Sequence, residues 1–233
     1  MYRQPAVLPH ATASGGWRRA GVEIAQSGQL EVLIALERIG TRLRFARDQE
    51  IYAEGDRGGC WFKVVSGTVR IVKLLADGRR QVAEFCFAGD SFGREGAEER
   101  SFSAEAVGDA TVLRLPRAAT ERLIEENPAL ARHLREEMLK SLDAAQHRLL
   151  LLGRMSAAER VAAFLVQLAE RDDARRPIDL PMARSDIADH LGLTVETVCR
   201  VLSDFKRRCL IAARNAHRIE LLDRDALAAI AED

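Results

Sequence analysis

The segment Arg184-Ser-Asp-Ile-Ala-Asp-His-Leu-Gly-Leu-Thr-Val-Glu-Thr-Val-Cys-Arg-Val-Leu-Ser203 decides how this chain is read, because it has the spacing of two helices meeting at a tight turn. Ala188 is small where the first helix must approach the second. Gly192 takes the positive φ of the turn at low cost, and Val198 is an apolar plug for the angle between the helices. Beyond the turn, Val198, Val201, Leu202 and Phe205 recur at helical spacing and are expected to face inward. That leaves Val195, Glu196, Cys199 and Arg200 on the outer face, near the end of a helix-turn-helix that enters a major groove.

The chemistry of that face suits base edges. An arginine such as Arg200 gives two parallel hydrogen bonds to guanine, and Glu196 accepts from a cytosine amine, each discriminating by roughly 1–3 kcal/mol. A carboxylate aimed at DNA is repelled by phosphate, so Glu196 makes sense there only as a base reader. Thr194 is expected to cap the helix, leaving neighbouring amides free to hold a phosphate. Arg200, Lys206, Arg207 and Arg208 face only Glu196 and Asp204, a local basic cluster whose phosphate contacts would make binding fall with salt. The candidate DNA contacts are therefore Thr194, Val195, Glu196, Thr197, Cys199, Arg200, Lys206 and Arg207. The bland alternative is a surface helix carrying an ordinary Glu and Arg.

Composition bounds the rest. At 233 residues with 47% hydrophobic content, the chain has room for two modest domains with real cores. Lys and Arg total 35, as do Asp and Glu, so no overall basic field advertises nucleic acid and attraction must be local. No apolar run resembles a signal peptide or a membrane span, so a cytoplasmic protein without a membrane partner is expected. Cys60, Cys86, Cys199 and Cys209 are widely spaced with no Cys-x-x-Cys pair, which argues against structural zinc, and no cofactor is expected. Cys199 and Cys209, read as lying on one helix, would be about 15 Å apart along its axis and unable to bridge within a chain.

Along the chain, residues 1–21 read as a loose arm containing Pro5, Pro9 and Gly15-Gly16, and Val22 to Ile39 suits a short helical lead-in. From Thr41 to Pro116 the pattern becomes β-rich, with runs such as Trp61–Val65, Val69–Lys73, Gln81–Phe85 and Thr111–Leu115. Gly55, Gly67, Gly78 and Gly89 punctuate it in the rhythm of an antiparallel barrel or double sheet, and Asp77-Gly78 is a hairpin turn. After Arg117 the chain is helical. Leu130, Leu134, Met138, Leu142, Ala145, Leu149 and Leu152 form one stripe on a helix longer than one barrel needs, so a parallel helix from a second copy is the economical partner. Packing against the barrel alone is the alternative, and one helix can do both. Ser156 with Glu159 forms a capping box for the next helix. Leu210–Ala213 and Arg218–Leu222 suit a wing hairpin, and Asp223 caps a last helix. The expected class is α+β: a β-roll over 22–127, a dimerisation helix over 128–154 and a winged helix-turn-helix over 155–233.

Taken together, the glycine-punctuated β-roll, long helix and winged helix-turn-helix resemble the CRP/FNR family of bacterial transcription regulators over roughly residues 22–230. Leu193–Leu202 and Ala158–Phe164 look more like its FNR and FixK branches than its cyclic-AMP-responsive branch. The resemblance is closest to FixK-type regulators, which control genes for low-oxygen respiration and nitrogen metabolism. It implies a homodimer that reads an inverted TTGA-type repeat in double-stranded DNA and recruits RNA polymerase. Val195 stands where the cyclic-AMP branch has arginine, and Cys199 where FNR has serine. No cysteine precedes Cys60, so an FNR-type iron–sulfur cluster is not expected. The cyclic-nucleotide pocket of the family needs Gly-Glu and then Arg-Ser some ten residues on. Here Gly93 is followed by Arg94, Arg100-Ser101 comes early, and Ala145 and Gln146 replace hydroxyls on the long helix. Arg94, Glu95 and Arg100 are instead expected to form a solvated charged loop. His133, His147, His190 and His217 are scattered and expected to be ordinary surface residues rather than haem ligands.

Cys199, beside Arg200, is a candidate redox residue, since oxidation there would place bulk and charge against DNA; the alternative is a small contact residue. Cys209, Cys60 and Cys86 are expected to be packing residues. Two other readings stay open: a ligand-gated regulator of the same family responding to a cyclic nucleotide or haem, and a cyclic-nucleotide-binding module of an enzyme complex. No nucleophile–base pair, phosphate loop or metal-ligand spacing supports an enzyme.

Overall fold

The computed structural model describes residues 34–94, 98–171, 177–215 and 217–232, except for the side chains of residues 147, 150–152 and 154. The expected arm and the start of the helical lead-in lie outside these residues. A helix at 34–39, α1, precedes eight strands. These are β1 (Thr41–Phe45), β2 (Glu50–Tyr52), β3 (Cys60–Ser66), β4 (Thr68–Leu74), β5 (Arg80–Phe87), β6 (Ser91–Phe92), β7 (Ser103–Ala106) and β8 (Ala110–Pro116). They pair antiparallel into two four-stranded sheets, in the orders β1-β8-β3-β6 and β2-β7-β4-β5.

The sequence turns this roll at its glycines. Gly67 sits at φ 82°, and a Cβ there would lie 2.5 Å from the Asp109 carbonyl, so the β3–β4 corner admits only glycine. Between the sheets, Val64, Val69, Ile71, Cys86, Ala104 and Val112 pack with the rings of Tyr52, Phe62 and Phe92. Burial raises the Cys86 thiol pKa well above its ordinary value, in keeping with the packing role expected of it. Cys60 is half-buried.

Helix α2 (Arg117–Glu126) ends at Asn127, whose extended backbone breaks the run. The Asn127 side chain accepts from the amides of Ala129 and Leu130, both at 3.0 Å, and Pro128 opens α3 (Pro128–Arg154). Its 27 residues span about 40 Å. The two ends of its apolar stripe have different surroundings. Leu130 (0% exposed) and Leu134 (8%) pack with Leu36, Leu113 and Leu115 of the same chain, whereas Met138 (61%), Leu142 (54%) and Leu149 (74%) face outward.

Helix α4 (Ala157–Arg171) begins at the expected box, the Ser156 amide donating to Glu159 at 3.0 Å and the Glu159 amide to the Ser156 hydroxyl at 3.3 Å. Strand β9 (Ile178–Asp179), α5 (Arg184–Leu191), α6 (Val195–Arg207), β10 (Ile211–Asn215), β11 (Arg218–Leu221) and α7 (Arg224–Glu232) complete the chain. The wing is a three-stranded sheet, β10-β11-β9, one strand more than the hairpin read from the sequence. Asp223 caps α7, accepting from the Ala226 amide at 2.9 Å. No helix among the described residues is long and apolar enough to cross a membrane.

Candidate DNA interface

The angle between α5 and α6 is set by three residues. Gly192 closes α5 in the left-handed conformation, φ 63° and ψ 39°, and its amide donates to the Ala188 carbonyl. Ala188 and Val198 are buried where the two helices meet, with Phe205 one face further along. Val201 and Leu202 pack against the same core. Arg160 of α4 ties the unit together by donating to the carbonyls of Met155 at 2.9 Å and Leu191 at 3.0 Å.

Helix α6 then presents a polar face. Thr194 caps it, its hydroxyl oxygen accepting from the Thr197 amide at 3.2 Å. The Thr197 hydroxyl lies 3.1 Å from that of Thr194, so these two expected contacts are already engaged with each other within the turn. Val195, Glu196, Cys199 and Arg200 are exposed together. The Glu196 carboxyl is held below the usual range by its own amide at the helix start and by the Thr194 hydroxyl, so it is an anion that accepts but does not donate. Lys206 and Arg207 are exposed at the far end, where Arg207 pairs with Asp204, as Arg208 does at 3.7 Å.

Cys199 is exposed; nearby, burial lowers the pKa of the half-buried Arg184 at the start of α5, an effect that the Cys199 sulfur partly offsets. Helix α6 stops at Arg207, so Cys209 lies beyond it at φ 56°, not on the same helix as expected, and it is exposed rather than packed. Of the described histidines, His190 departs most from a surface role; the His147 side chain lies outside the described residues. Its ring is buried between Phe85 and Phe164, at centroid distances of 5.1 and 5.7 Å, and burial lowers its pKa to about 4. His133 contacts Glu137 at 3.2 Å, and His217 Nδ1 lies 3.1 Å from the Leu180 carbonyl.

Residues 159–230 match the Crp-like helix-turn-helix domain family, and residues 42–127 match the cyclic nucleotide-binding domain family. The nitrogen fixation regulation protein FixK of Rhizobium meliloti is 43% identical over 204 residues, 87% of this chain and 93% of its own length. The transcriptional activatory protein AadR of Rhodopseudomonas palustris is 38% identical over 179 residues, 75% of each chain. The structure of FixK2 from Bradyrhizobium japonicum superposes with a TM-score of 0.78 at 38% identity, covering 82% of this chain and 97% of that one. The chain belongs to the CRP/FNR family, in its FixK branch. Its relatives are named as regulators and activators, not enzymes.

The interior of the β-roll departs from what the sequence suggested. Arg100 is not in a solvated loop, as the sequence suggested. It is buried, donating to the Gly93 and Cys60 carbonyls, with its guanidinium 4.5 Å from the centre of the Tyr52 ring. Arg94, also expected in that loop, instead reaches α3 and contacts Glu137 at 3.1 Å; Glu95 lies outside the described residues. Lys63, buried in β3, meets the same carboxylate at 3.3 Å and donates to the Gly89 carbonyl at 2.6 Å. Sequence reasoning missed this cluster, whose one local sign was a lysine, Lys63, inside an apolar strand run.

Proposed function

We propose that the chain is a homodimeric, cytoplasmic transcription regulator that binds an inverted TTGA-type repeat in double-stranded DNA and activates genes of low-oxygen and nitrogen metabolism by recruiting RNA polymerase. The observation that carries this reading is the α6 face, where Glu196 and Arg200 stand exposed on the first two turns of a helix whose other side is locked into a core. Thr194, Val195, Thr197 and Cys199 complete the contact surface, and Lys206 and Arg207 supply phosphate contacts. The regulator names carried by FixK and AadR support the activity. The second copy packs along α3 through Met138, Leu142, Ala145 and Leu149, continuing from the stretch where Leu130 and Leu134 serve the chain's own core; Leu152, next in the sequence stripe, has its side chain outside the described residues.

The regulator binds without an effector. The gap between β-roll and α3 lined by Glu84, Asp90, Arg94, Glu137, Lys140 and Arg171 has about 160 Å³ of free volume. Ligand pockets typically need ~300 Å³ or more, a size reached by two other clefts, about 630 Å³ beside α1 and about 490 Å³ between α3 and α4, so the effector-free reading is decided by titration and not by cavity size. Oxidation of Cys199 turns binding off, since added oxygen on its sulfur would stand in the contact surface. The test is a titration of reduced, ligand-free protein onto a labelled TTGAT-N4-ATCAA duplex against a scrambled duplex of equal length. Selective, tight binding is expected. Binding no better than the control would overturn the effector-free reading or the operator assignment, and recovery by a cyclic nucleotide or haem would identify the gate.

A further inference from the structure

The helix that carries the reading head is fastened to the β-roll of its own chain by a seam of charges that none of the DNA-facing side chains shares. Arg70, buried in the middle of β4, directs its guanidinium at three carboxylates. Two belong to the roll, Glu105 at 2.8 Å and Asp48 at 3.0 Å, and the third is Asp186 of α5 at 3.3 Å. Arg80, at the start of β5, donates to Asp186 at 2.6 Å and to Asp189, one turn further along α5, at 2.8 Å. Beside the charges, His190 of α5 meets the Val82 carbonyl at 3.0 Å, and its ring rests on Phe85 of β5.

An apolar contact between two domains tolerates sliding, because burial of greasy surface has little directional preference. Buried charges behave differently: each must keep its own partner, so displacement of α5 by even part of a turn leaves a carboxylate or guanidinium stranded. Asp186 and Asp189 bracket one face of α5, and Arg80 grips both. The orientation of α6 follows from that of α5, since only residues 192–194 separate them and Ala188 and Val198 are buried in their junction. The seam therefore fixes where α6 points relative to the roll and to α3, while its reading face stays exposed.

We propose that Arg70, Arg80, Asp186 and Asp189 are positioning residues that set the distance between the two reading heads of a dimer, and so determine which half-site spacing the protein accepts. The inference rests on the dimeric DNA-binding reading above, since two recognition helices held about 34–36 Å apart fit one helical turn of duplex. In the free chain the seam holds each head in register before DNA arrives, so the second half-site is met at a high effective concentration only when the spacer matches.

Arg80 and Asp189 are the members to change, because their side chains are 31% and 29% exposed, whereas Arg70 and Asp186 are buried. Wild type, Arg80→Gln, Asp189→Asn and the double variant would be titrated onto palindromes with spacers of two, four and six base pairs and onto a single half-site. Wild type is expected to lose roughly a hundredfold in affinity on either wrong spacer. In the variants that ratio should collapse to within about threefold, with half-site binding unchanged and the double variant no worse than either single one. Retention of the wild-type spacer ratio by the variants would overturn the proposal, as would an equal loss on the single half-site, which would mean a damaged reading face. Failure of wild type to select any palindrome would instead defeat the DNA-binding reading, and this inference with it.

Discussion

The Gly192 amide donates to the Ala188 carbonyl from a left-handed backbone and, with the Leu193 amide on the same carbonyl at 2.9 Å, turns the chain from α5 into α6. A side chain at that φ costs roughly 1–2 kcal/mol. Gly192→Ala should therefore lower the melting temperature by about 2–4 °C for each kcal/mol lost. It should also weaken operator binding, because strain relief at the turn tilts α6. Calorimetry and a duplex titration on the same preparation would check both, and an unchanged melting temperature would contradict the argument.

Glu196 accepts and does not donate, so its loss should be felt at one base position. Glu196→Ala should cost roughly 1–3 kcal/mol on the cognate duplex and relax selectivity there while leaving scrambled DNA unaffected. Were the α6 face merely a docking surface for protein, the substitution would be silent on DNA.

Lys206 and Arg207 are neighbours with different commitments. Arg207 is paired with Asp204, while no ion pair is recorded for Lys206 among the described residues. Lys206→Ala should reduce the slope of log affinity against log salt by about 1, and Arg207→Ala should reduce it by less. Titrations at several salt concentrations read this directly.

Cys199 tests the proposed redox control. Peroxide should abolish DNA binding by wild type and spare Cys199→Ala, with thiol reductant restoring the reversible forms. Equal loss by the variant would assign the effect elsewhere, with exposed Cys209 the next residue to change.

His190 gives a pH dependence with a definite sign. Its folded pKa is lowered from 6.5 to about 4, chiefly by burial, then by Arg148, and partly offset by its bond to Val82. The unfolded chain thus takes up the proton first, and stability falls as pH drops from about 6.5 toward 4. At pH 5 the loss is about 2 kcal/mol. His190→Gln should remove that loss, which denaturant melts at pH 7.5 and pH 5 would measure.

The parts legible in the sequence were those encoded by near neighbours. Gly192, Ala188 and Val198 lie within one short segment, and the glycine-bounded strands and the Ser156 box are equally local, so spacing alone placed them. Long-range partnerships carried no such signature. Arg70 meets Asp186 across 116 positions, and neither residue looks unusual in its own strand or helix. Strand β9 is two residues long and exists because β11 pairs with it. Arg100 read as solvated because an arginine in a charged loop normally is; carbonyls of Gly93 and Cys60 and the Tyr52 ring turned it inward. Periodicity grouped Leu130 to Leu152 into one stripe but cannot say which of its turns face the chain's own roll, as Leu130 and Leu134 do.

Glu137 draws Lys63, Arg94 and His133 to one carboxylate and so clips the long helix to the roll. If, as proposed above, the regulator binds DNA without an effector, its abundance becomes the message. For the proposed homodimer, while dimers are scarce their number would grow with the square of the chain concentration. A modest change in synthesis or breakdown would then be amplified at the promoter, so timing would be governed by how fast the cell makes and removes the polypeptide.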